Sequence, residues 1–223
     1  VILASFFQGS FGLGMKYMEP LKWEAWWIVH VTIAMIIFPI IWAVFAVPHL
    51  FQVIANAPSE AVFLGMLFGF LWGVGGILFG KSVPYIGLSL TYGIVMGLAA
   101  SVGSIIPLLQ VEDAFANPAS SYVIIAVVIM LVGVALTAKA GIERDKLIGD
   151  TNDPSNMSKG ILIAVSCGVL SALLNVGFAN ATPVALEAEK MGAITRNSSL
   201  AAWVVVLLGA FMMNFGYAVV LLF

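Results

Sequence analysis

The sequence predicts an all-α, polytopic membrane protein, and three observations carry that expectation. The 223 residues are 62% hydrophobic and 9% charged, with a mean hydropathy of +1.10, whereas a soluble domain is about half apolar and a quarter charged. Seven apolar runs approach the roughly 20 residues a helix needs to cross a bilayer, at about 1–15, 25–47, 61–80, 85–109, 121–139, 160–181 and 199–223. Nearly all the charge and much of the proline fall between those runs. In lipid the backbone must pair within itself, and the runs are too long and too evenly apolar for alternating barrel strands.

Taken in order, the first span is short and holds Gln8. The second opens with Trp23, Trp26 and Trp27 beside Lys22 and Glu24, the pattern of an interfacial aromatic belt. His30 follows about one turn further in, and Pro39 is expected to kink the helix because it lacks an N–H and its ring meets the preceding turn. Spans three and four form the centre of the chain, joined at Gly80-Lys81-Ser82-Val83-Pro84. Gly65, Gly69 and Gly73 stand four apart, as do Gly76 and Gly80, and so do Ser89, Gly93, Gly97 and Ser101. Residues four apart share a helix face. Such a face of small residues lets membrane helices approach closely, where van der Waals contact rather than hydrophobic drive holds them. Packing alone accounts for most such stripes.

The connection 141–160, GIERDKLIGDTNDPSNMSKG, is polar and rich in turn formers. It divides the chain into a five-helix unit over 1–140, a cytoplasmic connection over 141–159 and two helices over 160–223. Lys and Arg set the orientation: the odd-numbered connections hold seven of the nine and the even-numbered ones two. That places the odd connections in the cytoplasm and the amino terminus outside. Span six resembles span one, with Asn175-Val176-Gly177-Phe178 laid on Gln8-Gly9-Ser10-Phe11. Because five is odd, a second copy would enter the membrane reversed, giving the inverted repeat common in secondary transporters. On that reading the chain is a fragment, with seven of ten helices present and the last three beyond Phe223.

Net charge of −2 gives no sign of a nucleic-acid partner. The single cysteine, Cys167, allows no intrachain disulfide, and neither a cofactor motif nor a metal-ligand spacing such as HExxH occurs. The informative residues are amides in apolar runs: Gln8, Asn175, Asn180 and Asn214. Each needs a partner or a polar cavity in hydrocarbon. Interhelical hydrogen bonds would satisfy them. So would a shared cavity holding a sugar, whose hydroxyls both donate and accept as an amide does. Gln8, Asn175 and Asn180 are the amide candidates for such a site, with Trp72 and Tyr92 to stack on the ring; for Trp72, packing or lipid contact is the plainer alternative. No Asp or Glu sits at the middle of any span. His30, which titrates in the physiological range, and Glu24 are therefore the candidates for carrying a coupling proton, the alternative for His30 being an interfacial hydrogen bond.

Three blocks carry a resemblance: QGSFGLGMKYMEPLKWEAWW, FGFLWGVGGILFGKSVPYIGLSL and CGVLSALLNVGFANATP. With Trp72-Gly73-x-Gly75, Tyr85-x-Gly87-x-Ser89 and Cys167-Gly168 followed by Ser171, Asn180 and Pro183, the chain resembles the bacterial L-rhamnose–proton symporter family of the drug/metabolite transporter superfamily. The resemblance implies a ten-helix inner-membrane protein of two inverted halves that imports a deoxy-sugar together with a proton. An exporter of small metabolites from the same superfamily would share the architecture. A membrane enzyme would need a polar catalytic cluster that the chain does not show.

Overall fold

From residue 20 onward the apolar runs become helices in the computed structural model, which describes residues 2–3, 6–7, 10, 17–18, 20–109, 118–148 and 154–223. Gln8, most of the first span, Lys16, Glu112 and Asp113 lie outside the described residues. The elements are α1 (Trp23–Val31), a π-helical turn (Thr32–Ile37), α2 (Phe38–Ala46), α3 (Leu50–Asn56), α4 (Ser59–Leu109), α5 (Pro118–Ile148), α6 (Pro154–Asn180), α7 (Thr182–Lys190) and α8 (Thr195–Leu222). Among the described residues there is no strand. Among the described residues, five stretches are long and apolar enough to cross a membrane.

Proline sets two of the breaks. Pro39 sits at the start of α2, directly after the π-helical turn; a residue without an N–H cannot continue the regular ladder, and a widened turn absorbs the mismatch. Pro183 opens α7, where α6 has just ended at Asn180. The short helices α3 and α7 were not expected from the sequence. They pack Leu50 and Val53 beside Val184 and Ala188 in one buried cluster with Ala201, Ala202 and Val205 of α8.

The centre of the fold is α4. At 1.5 Å per residue its 51 residues would reach about 76 Å if straight, more than twice the ~30 Å hydrocarbon core. Instead it breaks at Gly87, whose φ of 75° and ψ of 163° are non-helical, a region open essentially to glycine alone. The sequence expectation of a connection at 80–84 is therefore corrected: the chain stays helical through Pro84, and the turn falls at Gly87. The limbs 59–86 and 88–109 fold back on one another. Phe79 meets Tyr92 edge-on at 4.9 Å between ring centroids, and the Ser82 and Thr91 hydroxyls lie 3.2 Å apart across the bend.

The glycine face expected at 65, 69 and 73 packs on α8. A β-carbon at Gly69 would overlap the Val206 carbonyl, and one at Gly209 would overlap the Met66 carbonyl in return. The second limb lays Gly93 and Gly97 against Thr137 and Val134 of α5. Helix α6 fits between the limbs, with Gly168 on Leu98 and Gly177 on Phe68. These contacts fix the chain direction of each helix, so that successive passes alternate. They also gather cations at the bend: Arg144 lies near Gly87, Lys159 over the Tyr85 ring at 5.2 Å and Lys81 over the Tyr217 ring at 5.1 Å.

Candidate functional site

A cavity of about 280 Å³ opens between α1, both limbs of α4, α6 and α8. It runs along Trp72–Gly80 of the first limb, roughly 10 to 20 Å from the bend at helical rise. Its space exists because Gly73, Gly75, Gly76 and Gly80 present no side chains to it. Opposite them stand Tyr92 and Val95 of the second limb, Cys167 and Ser171 of α6, and Leu207 and Asn214 of α8.

Helix α1 supplies the aromatic wall. Trp23, Trp27 and His30 are spaced i, i+4 and i+7, hence on one helix face. Trp23 stacks on Trp27 at 5.1 Å, and Trp27 on His30 at 5.2 Å. The sequence pattern read the tryptophans as an interfacial belt, yet Trp27 is buried and its Nε1–H donates to Asn214 Oδ1 at 3.1 Å. The Asn214 Nδ2 donates in turn to the Ala210 carbonyl at 2.9 Å. On the α6 side the Cys167 thiol donates to the Gly75 carbonyl at 3.0 Å.

Of the residues singled out from sequence, Trp72, Tyr92 and His30 line this cavity. Asn180 does not; its amide donates to the Val176 carbonyl one turn back in its own helix, at 2.8 Å. Asn175 is exposed on α6, with its amide lying over Gly103 of the second limb. Glu24, half-buried in the first turn of α1, is outside the lining. Gln8 is outside the described residues. Among the described residues, spans two, three, four, six and seven all contribute to the walls. Trp27 and Asn214, joined by a hydrogen bond, are two of several lining residues, Trp23, Cys167 and Ser171 among them, that sequence reasoning left out of the site. Asn214 was visible as an amide in an apolar run, and Trp27 by its spacing from Trp23 and His30.

Among the described residues, no Asp, Glu, Lys or Arg lines the cavity, and no group of His, Cys, Asp and Glu could hold a metal ion. Flat aromatic rings with a few amide, hydroxyl and thiol groups suit a small neutral ligand with both apolar and hydroxylated faces.

Long apolar helices that cross around such a cavity define the class as a polytopic membrane protein. The chain belongs to the L-rhamnose-proton symport protein (RhaT) family, whose profile matches residues 3–223. It is similar to the L-rhamnose-proton symporter of Mannheimia succiniciproducens, with 30% identity over 211 residues, 92% of this chain and 61% of the relative. It is similar also to those of Yersinia pestis bv. Antiqua and Yersinia pseudotuberculosis serotype O:1b, each at 26% identity over 205 residues, 91% of this chain and 60% of the relative. The chain thus spans about 60% of the length of these curated relatives. No solved structure matches it.

Proposed function

We propose that the protein is a secondary active transporter, not an enzyme, that imports a sugar together with protons across the bacterial inner membrane. L-rhamnose or a related deoxy-sugar is the substrate that the relatives' names suggest, and those names favour import over the export alternative. The observation that carries the reading is the cavity itself: three tryptophans and a tyrosine, one histidine and no carboxylate, lysine or arginine among the described lining residues. A deoxy-sugar offers an apolar edge to the rings and hydroxyls to the amide and thiol groups.

In this reading Trp72 and Tyr92 stack on the sugar and His30, at the cavity wall, carries the coupling proton. Gln8, Asn175, Asn180 and Glu24 remain candidates by residue type: the amides for sugar hydroxyls, the carboxyl for the proton. Transport proceeds by alternating access. Two inverted five-helix halves, ten helices in the whole protein and seven of them in this chain, rock about a site near mid-bilayer. The gathering of Lys81, Arg144 and Lys159 at one end supports a cytoplasmic bend and an external amino terminus, since positive residues stay inside.

Uptake of labelled L-rhamnose by the full-length protein in vesicles tests the reading. Saturable uptake that rises when an inward proton gradient is imposed is the expected result. Saturable uptake indifferent to that gradient would remove the symport step, and no sugar uptake at all would remove the function.

A further inference from the structure

The amide of Asn214 is almost wholly buried, yet it lies at the cavity wall. Its orientation is settled by two neighbours that each play one role. The indole Nε1–H of Trp27 can only donate, so it faces Oδ1; the Ala210 carbonyl can only accept, so it faces Nδ2. An amide held this way cannot flip to suit whatever approaches. Among the described residues these bonds leave one N–H and one oxygen lone pair unused, since an amide offers two donors and two acceptor sites.

The first limb of α4 leaves a notch for this group. A β-carbon at Gly73 would stand 2.9 Å from Asn214 Nδ2, and one at Gly76 would stand 3.5 Å from Oδ1. Glycine at both positions keeps the amide reachable from the cavity. Beside it the Trp27 ring is clamped on either face by Trp23 and His30, so the donor that orients the amide is itself held in place.

We propose that Asn214 is a substrate-binding and specificity-determining residue that pairs with one hydroxyl of a bound sugar, and that Trp27 is the positioning residue that aims it. The proposal rests on the sugar-transport reading and adds to it the group that tells one hydroxyl pattern from another. A fixed donor and acceptor side by side match a hydroxyl, which needs one of each. A ligand lacking that hydroxyl leaves the buried amide unpaired, which is how a polar site rejects a deoxy analogue.

The test uses full-length protein in proteoliposomes, with labelled L-rhamnose as substrate and its monodeoxy derivatives as competitors. In the wild type, one derivative should compete about tenfold less well than rhamnose. Asn214→Leu, similar in size and without the amide, should raise the rhamnose KM about tenfold and shrink the gap for that one derivative to about twofold. Trp27→Phe keeps a ring in the stack and removes only the donor; it should raise KM and narrow the same gap without lowering Vmax. Should Asn214→Leu fail to reach the membrane, Trp27→Phe decides alone. Unchanged KM and competitor ranking in the variants, or a fall in Vmax alone, would overturn the proposal and leave the pair a fastening between α1 and α8. A wild type that transports no sugar at all would instead take down the transport reading, and the hydroxyl role with it.

Discussion

The crossing of the first limb of α4 over α8 makes a prediction whose size can be worked from the contact. Gly69 and Gly209 lie on opposite sides of one helix–helix crossing, and a β-carbon on either would run into a backbone carbonyl of the other helix, Val206 and Met66 respectively. Backbone cannot step aside as a side-chain tip can, so Gly69→Ala must push the axes apart by an ångström or so. A gap of about 0.5–1 Å already forfeits a quarter to a half of each dispersion contact along the crossing. Forced overpacking of this kind costs about 1–3 kcal/mol, and a clash on backbone belongs at the upper end. Gly209→Ala should cost the same. The double variant is the informative one: once either methyl has separated the helices, the other finds room already made, so the pair should cost much less than the sum. Gly76→Ala is the control, because its nearest neighbour is at an ordinary 3.5 Å. Reversible unfolding of the purified protein in mixed micelles gives the four free energies. Gly69→Ala within about 0.5 kcal/mol of wild type, or strict additivity in the double variant, would refute the argument that this crossing is held by backbone approach.

How much of this was legible in the sequence follows from which interactions are local. Helix positions and the inward face at Gly65, Gly69 and Gly73 follow from hydropathy and four-residue spacing, both written in consecutive residues, and the structure places that face on α8. The bend was misplaced by a few residues because Lys81-Ser82-Val83-Pro84 offers the usual turn signals. The actual turn depends on one glycine among 22 adopting a dihedral pair that nothing adjacent announces. The helices α3 and α7, of seven and nine residues, are too short for a span-length hydropathy window, and their burial depends on one another. Amides were recognisable as residues that need a partner, but not which partner. Asn180 finds the carbonyl four residues behind it, while Asn214 finds an indole 187 residues away. The cavity walls inherit that limit: Trp72 and Tyr92 sit on the grooved helices the sequence marked out, whereas the Trp27–Asn214 pair exists only once α1 lies against α8.

The remaining predictions probe the site and the bend that positions it. Trp72→Ala should raise the sugar KM about tenfold, the equivalent of about 1.4 kcal/mol of lost ring contact, with membrane abundance unchanged; an unaltered KM in uptake assays would place Trp72 outside the site. His30→Gln keeps a polar side chain that cannot titrate, so proton-driven accumulation should be lost while sugar counterflow, which needs no net proton movement, persists. Accumulation at the wild-type level would show that the proton travels elsewhere. Gly87→Ala asks an alanine to hold a φ of 75° and a ψ of 163°, at a cost of about 1–3 kcal/mol. The bend carries the Ser82–Thr91 contact and brings Phe79 onto Tyr92. Strain there is therefore transmitted to both limbs that wall the cavity, and the variant should lose thermal stability and sugar affinity together. Affinity lost with stability intact would mean that the bend shapes the site without supporting the fold, and the account of α4 as a hairpin locked at Gly87 would fail.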